Sequence, residues 1–461
     1  MAQKKHYEKP AIERQISGLI NKFGRRGAVR PLDEIDSIPV ADLIRQHGSP
    51  LFVISEKTLR QKYQHAHRAF ALQYPRVQFA WSYKTNYLNA VCAAFHQEGA
   101  WAEVVSDMEY DRARRLGIPG KQIIYNGPHK SRNSLKRAAT EEALIHLDHL
   151  DELFELEKIA AELNRKVPVA IRMNLDAGIY PIWSRFGFNL ESGEALRAIR
   201  RLLSGGRLTL RGLHTHLGTF ILDTDAYARA TVKMMDFASL IEKEFGFRVE
   251  YLDMGGGFAS TSTLLEQYLP GEHASPTFEQ YASAISAALL NSDFARKQPP
   301  LLILETGRAL VDEAGYLISS VVGKRMLPDG RRCLIIDAGV NLAFTAFWYK
   351  LEVTPAQPFD PFLEDTVICG PLCMNIDVVR DKIRLPDLHP GDSLVIRPAG
   401  AYNMTQWMQF IQLRPAIVMI CSNGKIEQIR RAETLDDIME PENLPKHLSL
   451  KHGQHPSPPG N

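Results

Sequence analysis

Eight short apolar runs, spread over residues 77–305 with helical patterns between them, constrain this chain more than any other feature. They are VQFAWS from Val77, AEVVS from Ala102, QIIYN from Gln122, ALIHL from Ala143, VAIRMN from Val169, LRGLHTHLG from Leu210, VEYLDMGGG from Val249 and LLILE from Leu301. The stretches between them, such as the one ending at Lys166 and YARATVKMMDFASLIEKEF from Tyr227, carry apolar residues at helical spacing. Strand and helix alternating in this way indicate a parallel α/β fold whose helices cover the sheet. Eight such units predict a (β/α)₈ barrel over 31–308, with a doubly wound sheet as the alternative.

After Arg308 the rhythm changes to strand-like runs broken by Gly and Pro: YLISSVVGKRM, RRCLIIDAG, DTVICGPLC, DSLVIRPAGAY and LRPAIVMI. These predict a second, mainly antiparallel β domain over 309–435. The early strand PLFVISE, at 50–56, is expected to join that sheet. Residues 1–30, rich in Lys and Arg (Lys4, Lys5, Lys9, Arg25, Arg26), read as a solvated basic extension, and 436–461, ending in PSPPGN, as a partly disordered tail.

A formal charge of +2 gives no reason to expect a nucleic-acid or membrane partner. No apolar run approaches the roughly 20 residues of a bilayer span, and the N-terminus lacks the apolar segment of a secretory signal, so a cytoplasmic location is expected. Five cysteines in 461 residues read as reduced thiols. Cys369 and Cys373, four apart, lack the second pair that would complete a metal site, and one reactive thiol is the better reading.

In a barrel the C-terminal strand ends face one mouth, so the residues there form a set. Lys84, in FAWSYKTN, ends the first strand; Glu103 lies in the second; Arg172 is near the end of the fifth. His216 and Thr219 end the sixth, Gly255, Gly256 and Gly257 the seventh, Glu305 and Arg308 the eighth. Three glycines after a strand let backbone N–H groups approach an anion, and Arg308 adds a charge-assisted contact. Glu305 can keep a ring nitrogen protonated, which makes the ring an electron sink. The pair His214 and His216 invites a zinc reading, but no further ligands are evident around it, and no metal is expected.

Taken in order, YKTN, GLHTHLGT, LDMGGGF, ETGR, CGPLCMNID and GAY make the chain, from about residue 50 to 430, resemble the fold-type III pyridoxal-phosphate (PLP) decarboxylases, the group of diaminopimelate, ornithine and arginine decarboxylases. The resemblance implies an alanine-racemase-like barrel followed by a β domain, and a head-to-tail homodimer with active sites at the interface. It implies that Lys84 forms the internal aldimine, His216 stacks on the ring and Glu305 binds its nitrogen. Gly255, Gly256, Gly257, Thr219, Arg308 and Tyr402 would hold the phosphate, with Glu103, Arg172, Thr306 and Gly307 completing the cofactor site. Cys373 matches the cysteine that reaches in from the partner subunit to donate a proton after CO₂ leaves, a transfer to which a thiol is suited.

The substrate end departs from the family's pattern. Met374 follows Cys373 where diaminopimelate decarboxylases have a glutamate, Thr345 stands where they have an arginine, and Lys350 follows Tyr349 where ornithine decarboxylases have an acid. Asp377 is grouped with these substrate contacts, and NMTQWMQFIQLRP brings in Trp407, Met408 and Phe410. The expectation is a decarboxylase acting on an amino acid or amino-acid conjugate other than meso-diaminopimelate or ornithine, with Lys350 accepting a distal anion. A racemase or epimerase on the same fold, and a non-catalytic PLP-binding or regulatory homologue, are the alternatives; the second would tend to lose the lysine or the cysteine, and both are present.

Overall fold

The computed structural model describes residues 30–360 and 362–449; nearly all of the basic extension, and the PSPPGN tail, lie outside the described residues. All eight expected strands form: Val77–Ser82, Trp101–Val104, Ile123–Tyr125, Leu144–Leu147, Val167–Asn174, Leu208–Thr215, Tyr251–Asp253 and Leu301–Leu304. Each pairs in parallel with the next, and the eighth pairs with the first, Leu304 opposite Phe79, so the sheet closes into a barrel.

Alternate residues of a strand face opposite sides, so one in two points inward. Low in the barrel the inward positions are Ala80, Ile124, Ala170 and Ile303, packed with Tyr251 into a separate apolar cluster. Gly212 makes room for the Tyr251 ring: a Cβ there would lie 2.3 Å from it. Two residues further along the same strands the set turns polar: Ser82, Asn126, Arg172, His214, Asp253 and Glu305. The period-2 register thus converts one layer of apolar filling into a polar floor beneath the mouth.

The outer ring has a borrowed member. Helix Glu56–Ala71, capped by the Ser55 hydroxyl accepting from Thr58 N–H at 3.1 Å, precedes the first strand and packs between helices Phe278–Asn291 and Asn89–Gln97. It fills the place of an eighth crossover helix, because after the eighth strand the chain turns through Arg308–Val311 into the second sheet.

That sheet is mainly antiparallel. Gly315–Met326 pairs antiparallel with Arg332–Ile336, Ser393–Arg397 and Leu51–Ser55, and Glu364–Cys369 with Val378–Leu385; two pairings are parallel, Arg332–Ile336 with Glu364–Cys369 and Leu51–Ser55 with Ile417–Ile420. The early strand therefore sits inside the second sheet and ties the two ends of the described chain together.

Candidate active site

A cavity of about 560 Å³ opens at the C-terminal ends of the barrel strands. Among its lining residues are Lys84, Glu103, Arg172, His216, Thr219, Gly257, Glu305, Gly307, Arg308, Tyr349 and Tyr402, which the sequence singled out, and Ser82, Asn126, Trp183, Phe186, Phe220, Trp348 and Gln406, which it did not.

Lys84 sits in a tight turn, Tyr83–Thr85, straight after the first strand. The second domain clamps that turn: Tyr402 N–H donates to the Thr85 carbonyl at 2.8 Å, the Thr405 hydroxyl to the Lys84 carbonyl at 2.9 Å, and the Asn86 amide to the Gly400 carbonyl at 3.0 Å. Tyr402 holds a left-handed backbone, φ 64°, a conformation a bulky residue keeps only where its surroundings impose it.

The Lys84 ammonium donates to Glu103 at 2.7 Å, and the Ser82 hydroxyl donates to the same carboxylate oxygen. Asn126 ties two carboxylates together, donating to Glu103 at 3.1 Å and to Glu305. Burial alone would lower the lysine's pKa, but Glu103 and Glu305 overcome it and hold Lys84 above its ordinary value. Nucleophilic use of this amine therefore requires a proton to pass to a neighbour, and Glu103 is in contact to receive it.

His216 accepts from Gly256 N–H at 3.1 Å through Nδ1, which fixes the proton on Nε2. Burial, together with Arg172 and Lys84, holds the ring well below its ordinary pKa, so it is neutral, with Trp183 edge-on at 5.2 Å. Across the cavity the Arg308 guanidinium lies 4.6 Å from the Tyr349 ring centre and 4.9 Å from that of Tyr402. Its nearest carboxylate, Asp312, is 3.5 Å away, and its Nε has no partner among the described residues. A Cβ at Gly257 would lie 2.4 Å from the Gly218 carbonyl, and one at Gly307 2.1 Å from the Thr85 hydroxyl, so both places admit only glycine. An arginine with spare donors beside glycine backbone is a fit for a phosphate.

Other expected residues do not line the cavity. Gly255, Gly256 and Thr306 support it from behind: Gly255 N–H donates to Asp253 at 2.8 Å, and its carbonyl accepts from Glu305 N–H at 2.8 Å. Thr345 is buried with its hydroxyl on Asn403 at 3.0 Å. The Asp377 carboxylate is a loop clasp, accepting from Val340 and Leu372 N–H at 2.7 Å each. Lys350 donates to the Gln267 carbonyl at 2.8 Å, a bond that a distal anion would have to share or displace. Cys373 is exposed and Met374 half-buried, and neither lines the cavity.

The view that nothing else converges near His214 is corrected. His146, His214, Asp253 and Glu305 bring nitrogen and oxygen atoms within 4.8 Å of one another, all buried. His146 and Asp253 come from strands four and seven, and no local sequence spacing could have joined them.

The fold and the site together define a PLP-dependent enzyme of the alanine-racemase-like barrel type. Residues 58–312 match the family model described as pyridoxal-dependent decarboxylase, pyridoxal binding domain, and the chain belongs to that family of carboxy-lyases. It is 28% identical over 425 residues to the diaminopimelate decarboxylase of Methanothermobacter thermautotrophicus, covering 90% of this chain and 95% of that protein. With that of Bacillus subtilis it shares 27% over 420 residues, 88% of this chain and 94% of the other. The crystal structure of the M. jannaschii diaminopimelate decarboxylase in complex with L-lysine superposes with a TM-score of 0.83 at 27% identity, over 92% of this chain and 99% of that one. Among the described residues no helix is long and apolar enough to cross a membrane.

Proposed function

We propose that the enzyme removes the α-carboxylate of an amino acid in the cavity over Lys84. The observation that carries this reading is that one cavity holds both Lys84, on Glu103 at 2.7 Å, and Arg308, whose Nε has no partner among the described residues. Lys84 would hold the aldehyde of PLP, Glu305 the ring nitrogen, His216 a ring face, and Thr219, Gly257, Gly307, Arg308 and Tyr402 the phosphate, with Gly255, Gly256 and Thr306 behind them. When bound, PLP supplies an electron sink for the charge left at the α-carbon. Glu103 takes and returns the proton at Lys84 Nζ; the neutral His216 meets the ring without adding charge; Arg172 completes the positive side of the mouth. A homodimer is part of the proposal: Cys373, exposed in one subunit, would enter the partner's cavity and hold the proton that replaces CO₂.

On the substrate, we propose a distal end unlike that of meso-diaminopimelate or ornithine. The support is that Thr345 is occupied by Asn403, that Met374 follows Cys373, and that the mouth is rimmed by Trp183, Phe186, Phe220 and Trp348. The similarity to diaminopimelate decarboxylases makes meso-diaminopimelate the necessary comparison. The test is CO₂ release by the PLP-loaded enzyme over meso-diaminopimelate, ornithine, lysine, arginine and carboxylated conjugates. A higher kcat/KM on meso-diaminopimelate than on every other compound would sink the substrate reading, and retained carboxylate with inverted stereochemistry would sink decarboxylation itself.

A further inference from the structure

A barrel interior is ordinarily filled with branched apolar side chains. Here strands four, six and seven place His146, His214 and Asp253 inward, none more than 1% exposed, directly against Glu305. The hydrogen bonding of this group does not close. His146 Nδ1, Asp253 Oδ2 and both His214 nitrogens make no hydrogen bond among the described residues, although His214 Nε2 lies 3.5 Å from Glu305 Oε2, whereas His146 Nε2 meets the Tyr251 hydroxyl at 3.1 Å. Asp253 Oδ1 already accepts from Gly255 N–H at 2.8 Å, and Glu305 Oε1 accepts from Asn126. Oxygen atoms of the two carboxyl groups lie within 4.8 Å of each other, and carboxylates offer lone pairs alone. One proton between them gives Asp253 Oδ2 a partner and removes a buried like-charge contact.

We propose that Asp253 is a positioning residue for the cofactor's ring nitrogen: it shares a proton with Glu305 and so aims the Glu305 carboxylate at that nitrogen. This rests on Glu305 being the ring-nitrogen partner. The charged and titratable groups around Asp253 are Glu305 after strand eight, Glu103 on strand two, His146 on four, Arg172 on five, His214 on six, and Tyr251 on its own strand. Burial, followed by the Glu305 charge, raises Asp253 well above the usual carboxyl range, which keeps the proton there. Burial and Arg172 hold His214 well below its usual value, so the histidine supplies a neutral lining and not the missing charge.

Three variants of the full-length enzyme test this by PLP titration of the cofactor-free protein and by the pH dependence of the bound cofactor's visible absorbance. Asp253→Asn keeps a donor toward Glu305 and is expected to stay within about threefold of wild-type PLP affinity, while Asp253→Leu, with none, loses about tenfold or more. Asp253→Leu is also expected to displace the pH at which the visible band changes. Equal damage in both variants would mean that charge on Asp253, not its proton, is what matters, and no damage in Asp253→Leu would remove its role; either overturns the proposal. So would a stoichiometric transition metal in the purified wild type that Asp253→Asn loses, which would give these four residues to an ion.

Glu305→Ala separates the layers: if it leaves PLP affinity and spectrum unchanged, the reading of Glu305 itself has failed. Should Asp253→Leu not fold, stability against pH decides. The folded protein binds a proton at Asp253 that the unfolded chain releases above the ordinary Asp value, so wild-type stability falls as pH rises from there toward the folded value. Asp253→Asn lacks that slope, and its Tm advantage over wild type is expected to grow from about pH 5 to about pH 8. A constant difference would overturn the shared proton.

Discussion

The part of the active site borne by the barrel strands and the part borne by the second domain are built in opposite ways. On the barrel side Lys84, Glu103, Asn126, His216 and Glu305 are bonded to one another or to backbone within a single subunit. On the other side Cys373 is exposed, Thr345 and Asp377 are occupied by neighbouring loops, and Lys350 is turned to a backbone carbonyl. Tyr402 is the exception, because its segment is docked onto the Lys84 turn. The lesson is that the barrel side is bonded together within one chain, while the groups of the second domain are engaged by their own loops or left exposed, which is the contrast that the proposed dimer would use.

The largest expected effect strikes the finished side. Lys84→Ala should lower kcat/KM by about 10⁴-fold or more and abolish the visible cofactor band. If the band survives, the barrel side is not the cofactor side and the contrast collapses.

Lys130, in the loop after the third strand, and Glu152 form an ion pair at 2.6 Å with side chains 0% and 3% exposed, and Lys130 also donates to the Gly127 and His146 carbonyls. Lys130→Met strands a buried carboxylate and is expected to cost about 3–5 kcal/mol, read as a drop in urea midpoint. A loss below about 1 kcal/mol, the range of surface pairs, would show that the prebuilt side does not depend on it.

Cys373→Ala sharpens the comparison from the open side. Its side chain is exposed, so Tm and the cofactor spectrum should hold while kcat falls by about 10²- to 10⁴-fold. Mixing the inactive Lys84→Ala and Cys373→Ala proteins should restore about a quarter of wild-type activity, since half of random dimers carry one intact site. No recovery on mixing, after verified subunit exchange, would place both residues in the same subunit's site.

The smallest effect is expected at Lys350. With its ammonium on the Gln267 carbonyl, Lys350→Ala should leave KM within about twofold. A large rise would return Lys350 to the substrate and blur the line between the two sides.

Much of the barrel was legible because its signals are local. Short apolar runs between helical patterns predict strands, and a lysine, three glycines and an ETGR segment at strand ends predict the mouth. Asn126 escaped notice because nothing near it in sequence shows that it bridges Glu103 and Glu305, residues 23 and 179 positions away. The aromatic rim escaped too, since Trp183 and Phe186 lie in an irregular segment whose path depends on the rest of the barrel. At Thr345, Lys350 and Asp377 the direction of the side chains was not legible, because it is fixed by partners elsewhere along the chain: Asn403, Gln267, and Val340 with Leu372.

What the sequence by itself determined is the list of parts: eight βα units, a β domain that takes back an early strand, and a lysine, histidine, glutamate and arginine suited to PLP. Closure of the barrel decided how those parts meet. Parallel register at the seams brings His214 level with Asp253 and with Arg172, and stacks a polar layer on the apolar one beneath Glu305. The physical reason is that electrostatics acts through space. Whether a buried carboxyl keeps its proton, or a lysine its charge, depends on neighbours within a few ångströms, and only the tertiary structure chooses them.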